Sequence, residues 1–202
     1  MITFDVTIIV LLFAFFAFSH TILASNKIKK TVTEKLGIRI AFYRLFYNVS
    51  SLIFFITFYT LAPKPDIVVY DLQFPFDIFI FALQVISLAG LIWAVKSIKL
   101  KEFLGVAQIK HLMDGQYDIS DMDEKQNFKI EGAYKFVRHP IYLFSILFLT
   151  FRPTMSLFYL VMLICIIVYF YVGSFYEERK LVDKFGDEYL LYQKKVPRIF
   201  PF

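Results

Sequence analysis

The sequence predicts an all-α integral membrane protein with about five transmembrane helices, the last two a helical hairpin, followed by cytosolic C-terminal helices. Three observations predict it. The 202 residues are 58% hydrophobic, with 26 Phe and 13 Tyr, well above the apolar share of soluble domains. The apolar residues gather into runs of about twenty, the length that crosses a bilayer core at about 1.5 Å per residue. All of the 22 basic residues except Lys64 and Arg152 fall on one side of those runs if each of them crosses.

The first run, residues 2–24, is too long for a signal-peptide core and lacks a basic leader, so a retained helix is expected. A basic segment follows with Lys27, Lys29, Lys30, Lys35, Arg39 and Arg44. Runs at 40–62 and 77–95 come next, joined by a connection crowded with Asp66, Asp71 and Asp77. The polar stretch 96–139 is too short to bury a core of its own. Within it, residues 98–110 alternate basic and apolar side chains, which suits an interfacial helix or a strand-like platform. Residues 114–127 mix acids, Gly and Ser and read as a surface loop. The fourth run, 141–152, has twelve residues and reaches only about 18 Å. Arg152-Pro153 separates it from the fifth run, 155–176.

Charge sets the expected sidedness. Placing the basic segments inside puts the N-terminus outside and the C-terminus in the cytosol of a multi-pass protein, in the inner or plasma membrane. The net charge of +5 is thereby assigned to the cytosolic membrane face, with membrane lipids as partners and no role in binding nucleic acid. Were the fourth run re-entrant, the last basic segment would emerge on the opposite side, so a crossing hairpin with a short first arm is expected. The whole chain then forms one membrane domain: three N-terminal helices to residue 95, a cytosolic connection over 96–139, and a hairpin with its tail over 140–202.

The chemistry concentrates at the hairpin's cytosolic ends. Pro140 suits the first position of the fourth helix, which leaves Arg138 and His139 within the headgroup layer or deeper. Arg can snorkel from there, but His does not reach far. The fifth helix continues past the membrane through Glu177, Glu178, Leu181, Val182 and Phe185 to a stop at Gly186. Asp187 opens another helix, with Tyr189 and Tyr192 near one face and Lys194-Lys195 at the end that suits basic side chains. Val196-Pro197 ends it. Taken singly, each charged residue fits an ordinary anchor, cap or solvated pair. A hairpin brings both ends side by side, and converging ionisable groups at a membrane edge point to an ion, a cofactor or a reaction. The single Cys165 excludes a disulfide framework. The three histidines share no helical face, so no metal site is expected.

Gly132-x-Tyr134-x-x-Val137-Arg138-His139-Pro140-x-Tyr142 resembles the first cofactor motif of the isoprenylcysteine carboxyl methyltransferase superfamily. Glu177-Glu178-x-x-Leu181-x-x-x-Phe185-Gly186-x-x-Tyr189-x-x-Tyr192-x-x-x-Val196-Pro197 resembles its second. The front half resembles the NnrU-type and methanethiol S-methyltransferase branches in Ser19-His20, in Tyr43-Arg44-x-x-Tyr47-Asn48, and in Glu102-Phe-Leu-Gly105 before Gln108. The prenylcysteine branch tends to carry an Arg about a turn before the paired Glu, where this chain has Gly173-Ser174.

The resemblance implies an S-adenosylmethionine-dependent methyltransferase whose two motifs enclose the cofactor at the cytosolic face, with a small thiol or a lipophilic acceptor arriving from the membrane. It implies cofactor contacts from Tyr134, Val137, Arg138, His139, Pro140, Tyr142, Glu177, Glu178 and Tyr189. Arg138 suits the cofactor's carboxylate, and Glu177 or Glu178 its ammonium or hydroxyls. Catalytic roles are expected for Arg138, Glu178 and His20. His20 stands near the inner end of the first helix, either as a base for a thiol or as an interfacial cap. Two other classes fit parts of the pattern. A sterol-type reductase shares the Tyr-x-x-x-Val-Pro ending, although its phosphate-bearing nicotinamide cofactor calls for Arg where this chain has Glu177-Glu178. An NnrU-type membrane protein would carry no enzymatic activity.

Overall fold

A computed structural model describes residues 1–119 and 130–201. The loop expected over 114–127 lies in part outside the described residues. Among the described residues the architecture is helical, with one small strand pair. Helix α1 spans Ile2–Ala24, α2 Asn26–Leu36, α3 Tyr43–Leu61, α4 Phe76–Val95, α5 Leu100–Leu104, α6 Val106–Met113, α7 Pro140–Thr150, α8 Leu157–Phe185 and α9 Asp187–Lys195. Strand β1, Val68–Asp71, pairs antiparallel with β2, Thr154–Ser156. Short 3-10 turns cover Gly37–Phe42 and Gly132–Lys135.

Four helical stretches among the described residues are long and apolar enough to cross a membrane: Ile2–Ala24, Asn26–Leu61, Phe76–Val95 and Leu157–Phe185. The fourth run becomes the shorter α7, whose 11 residues extend about 16 Å. This is an all-α membrane fold, and large exposed apolar side chains such as Phe15, Leu52, Ile86 and Val168 cover its helices. The segment left open between helix and strand over 98–110 is helical, forming α5 and α6. The β1–β2 pair was not legible, because its residues sit in two short interhelical connections with no alternating pattern.

Local chemistry explains the boundaries. Ser25 accepts a hydrogen bond from the Ile28 amide (3.4 Å) and opens α2. Ser156 does the same for α8 from Tyr159 (3.4 Å). Pro140 starts α7 at the position where its missing N–H costs nothing. Gly186, at φ +57°, closes α8 by donating to the Val182 carbonyl (2.8 Å) and turns the chain into α9.

The described residues fall into two compact units. One comprises residues 1–6, 64–97 and 130–201; the other, residues 7–63 and 98–119. In the first unit α4 packs on α7. Gly90 makes the close approach possible, since a Cβ there would lie 2.3 Å from the Phe144 ring. Gln84 donates to the Phe148 carbonyl (3.1 Å) within this apolar contact. The α7–α8 hairpin buries Ile146, Met155, Leu163 and Ile199. Its tip is fastened by Thr154 donating to Asp71 (2.6 Å) and by the Arg152 guanidinium over the Tyr159 ring (3.8 Å).

In the second unit an aromatic seam joins α1 and α3, with Phe13 against Phe58 (5.4 Å) and Phe16 against Phe55 (5.4 Å). Arg44 and Asn48 both donate to the Phe103 carbonyl (2.9 Å each), which ties α3 to α5. Gly105 then turns the chain at φ +88°, with a Cβ position only 2.6 Å from the Leu45 amide nitrogen, so both conformation and space require glycine.

Candidate functional site

The residues before α7, the C-terminal end of α8 and the tail after α9 meet in the first unit. Three features of the chain bring them together. Arg138 and His139 precede Pro140 in extended or irregular backbone, and their amides donate to the Pro197 and Arg198 carbonyls (2.9 Å each). Helix α8 has 29 residues, about 43 Å of helix, so it carries Glu177 and Glu178 beyond its apolar run. The turn at Gly186 folds α9 back, and Tyr192 donates to the Tyr134 carbonyl (2.6 Å).

Glu178 is the hub. Its side chain is 3% exposed, and donors from four residues converge on the carboxylate. Arg138 grips it in a fork through Nε (2.7 Å) and Nη2 (3.1 Å). Arg198 donates from Nε (3.2 Å) and Nη2 (3.0 Å), and Gln193 from its amide (2.9 Å). His139 Nε2 lies 3.2 Å away. A carboxylate held this way satisfies the requirement that a buried charge be paired and hydrogen-bonded.

Arg138 is equally committed. Besides Glu178, its Nη1 donates to the carbonyls of Gln193 (2.9 Å) and Val196 (2.6 Å). These belong to the last turn of α9 and its C-cap, where carbonyls lack helical partners. Sequence reasoning expected Arg138 to clamp a cofactor carboxylate. In the structure its fork grips an internal carboxylate, and the rest of its guanidinium caps a helix.

His139 bridges the two acids. Its Nδ1 lies 3.4 Å from Glu177 and its Nε2 3.2 Å from Glu178. Burial of the ring opposes protonation, but hydrogen bonds and charge from Glu177 and Glu178 outweigh it and raise the His139 pKa. The ring stacks on Tyr142 (5.1 Å between centroids), which stacks on Phe170 (4.2 Å). Tyr142 also donates to Glu177 through its hydroxyl. Glu177 is 52% exposed, so it forms the open edge of the cluster.

Tyr189 and Tyr192 close the buried side, at 2% and 5% exposure. Burial pushes the Tyr192 phenol up to about 12 and raises Tyr189 as well, where the Glu178 charge adds to the effect. Val137 and Pro140 are buried alongside.

The structure therefore brings together Tyr134, Val137, Arg138, His139, Pro140, Tyr142, Glu177, Glu178 and Tyr189. His20 belongs to the other unit, on α1, where the Tyr47 hydroxyl lies 2.7 Å from its Nε2. Sequence reasoning missed Gln193 and Arg198. Gln193 was within reach, because Tyr189, Tyr192, Gln193 and Val196 recur at the i, i+3, i+4, i+7 spacing of one helix face. Arg198 stands just past the Val196-Pro197 stop, over the Phe175 ring (3.6 Å). Its only signal was a cation next to a motif already rich in charge.

Comparison with known proteins places this geometry among relatives. The chain is 32% identical over 202 residues to methanethiol S-methyltransferase 1 of Bradyrhizobium diazoefficiens, covering 98% of this chain and 67% of that protein. It is 35% identical over 75 residues to the methanethiol S-methyltransferase of Pseudomonas deceptionensis, 37% of this chain and 29% of the relative. The same figures, 35% over 75 residues with 37% and 29% covered, hold for the methanethiol S-methyltransferase of Crocosphaera subtropica. The matched part thus spans about two thirds of the first relative's length and under a third of the other two. No model of a known protein family matches the chain. No solved structure matches it.

Proposed function

The chain belongs to the methanethiol S-methyltransferase family, and from that premise we propose that it transfers a methyl group from S-adenosylmethionine to a small thiol at the cytosolic face of the membrane. The observation that carries this reading is the Arg138–Glu178 fork, which joins two segments 40 residues apart into one charged cluster. The relatives' names support the acceptor class, and the cluster's charges and rings support a place for the donor.

The residues present fit such a donor. S-adenosylmethionine carries a carboxylate, an ammonium, ribose hydroxyls and an adenine, and the cluster offers both signs of charge beside stacked rings. Glu177 and Arg198 are its accessible members, with side chains 52% and 26% exposed. Glu177 suits the ammonium or the hydroxyls, and Arg198 the carboxylate. Arg138 and Glu178 act behind them as the brace that holds the tail against α8. Tyr134 and Tyr142 contribute phenolic hydrogen bonds or a wall for the adenine. Once bound, the cofactor supplies an activated methyl group on a sulfonium. The chain's own part is position and exclusion of water. A thiol must also lose its proton as it is methylated.

Thermal denaturation of the detergent-solubilised protein tests the cofactor. S-adenosylhomocysteine should raise the melting temperature, and NADPH should not. Glu177→Ala and Arg198→Ala should each remove much of the shift. A shift with NADPH alone would favour the reductase class, and an unchanged shift in both variants would remove the cofactor from this cluster.

A further inference from the structure

We propose that the strap between α1 and α3, residues 25–42, is a binding surface for acidic phospholipid headgroups, with Lys35 and Arg39 as its principal cations. Every residue of the strap belongs to the second unit. Helix α1 ends at Ala24 and α3 begins at Tyr43, whose hydroxyl donates to the Leu23 carbonyl (2.8 Å). The exit of one apolar helix and the entry of the next are therefore neighbours. The residues between them, fastened at both ends to that edge, stay close to it.

Local structure turns the strap away from both helices. Ser25 caps α2 in extended backbone at φ −72° and ψ 140°, and Gly37 ends it at φ +55°. On α2, Ile28, Val32 and Leu36 recur at the i, i+4, i+8 spacing of one face. Lys27, Lys30 and Glu34 take the opposite face, while Lys35 stands at the margin of the apolar stripe. The 3-10 turn then buries Ile40 and Ala41 and leaves Leu36, Ile38 and Phe42 exposed, with exposed Lys35 and Arg39 among them. Apolar side chains in that setting enter the acyl boundary of a bilayer, and long cationic side chains beside them reach the phosphates.

Helix α5 widens the same edge. Arg44 and Asn48 hold it beside the first turns of α3 through the Phe103 carbonyl (2.9 Å each). It presents exposed Leu100, Lys101, Phe103 and Leu104, the same mixture of cation and apolar surface.

Charge selects the occupant. Between Ser25 and Phe42 stand five Lys or Arg against one acid, Glu34. Such an excess at the end of two apolar helices complements an anionic headgroup layer, where each Lys or Arg near the surface strengthens attraction about fivefold. Leu36, Ile38 and Phe42 call for acyl chains as well, which a soluble anion does not bring.

Electron paramagnetic resonance of spin-labelled lipids tests the surface on the full-length protein in nanodiscs of phosphatidylcholine and phosphatidylglycerol in equal parts. Labelled phosphatidylglycerol should associate with the wild type severalfold more strongly than labelled phosphatidylcholine, and the preference should fall as salt is raised. Lys35→Gln with Arg39→Gln should lower it by about fivefold or more, whereas Lys35→Arg with Arg39→Lys should keep it. Each glutamine substitution alone should give a partial loss, so a folding defect in the double variant leaves the test intact. Equal association of the two lipids with the wild type, or a preference that salt does not touch, would overturn the proposal. A preference that survives the glutamine variants would move the lipid contact to other cations, such as Lys194 and Lys195. Displacement of labelled phosphatidylglycerol by water-soluble glycerol phosphate would make the strap a site for free phosphate instead.

Discussion

Glu177 and Glu178 are neighbours in sequence with opposite environments, and that contrast governs what each substitution does. Glu178 is buried beneath donors from Arg138, Arg198, Gln193 and His139, so Glu178→Gln leaves cations facing a neutral amide. Breaking a buried pair in this way costs about 3 kcal/mol or more. Glu178→Gln should therefore lower the melting temperature clearly, whereas Glu177→Gln, half exposed, should leave stability nearly unchanged and weaken S-adenosylhomocysteine binding. Equal stability in the two variants would deny Glu178 its role as hub. His139 adds a pH dependence. Its pKa is raised above the ordinary 6.5 by Glu177 and Glu178 against the opposing effect of burial. The charged ring thus stabilises the fold fully below about pH 6.5, and this contribution is lost as pH climbs through the raised value. The wild-type melting temperature should fall across that rise more steeply than that of His139→Gln. Parallel curves would mean that the ring carries no stabilising charge.

Helix boundaries were the most legible part of the chain, because each is set by a residue with one dominant backbone preference. Pro140 as first residue of α7, the break at Arg152-Pro153 and Gly186 between α8 and α9 all follow from local chemistry. Pairing across sequence was not legible. The fork from Arg138 to Glu178 depends on how far α8 outruns its apolar segment, and Arg198 joins only because the tail's carbonyls pair with the amides of Arg138 and His139. The strands β1 and β2 likewise carry no signal in four and three residues. The turn at Gly186 converts element geometry into site geometry. Its φ of +57° and ψ of −132° suit glycine alone, and nothing lies within 4 Å of a Cβ there, so Gly186→Ala acts through the backbone rather than through a clash. The substitution should cost about 1–3 kcal/mol, and should weaken S-adenosylhomocysteine binding by displacing Tyr192 and Gln193. Wild-type affinity in calorimetric titration of that variant would show that α9 finds its place without the glycine.

At the scale of the molecule, four helical stretches long and apolar enough to cross a membrane among the described residues, and a short α7, leave sidedness to the charges. With only Lys64 and Arg152 outside the basic segments, the N-terminus should face outward and the cluster at Arg138 and Glu178 the cytosol. With Cys165 replaced by alanine, an impermeant maleimide on intact cells should label an introduced cysteine at Asp71 and spare one at Lys194; the reverse pattern would invert the topology. On the proposed reading, that orientation would give the charged cluster access to cytosolic S-adenosylmethionine and the apolar helix faces to a membrane-soluble thiol. Methyl transfer from this cluster is tested by following the methyl group itself. Purified protein in nanodiscs, given methyl-labelled S-adenosylmethionine and methanethiol, should release labelled dimethyl sulfide, and Arg138→Ala and Glu178→Ala should release almost none. No labelled thioether from the folded wild type, or undiminished release from Glu178→Ala, would rule out methyl transfer from this cluster.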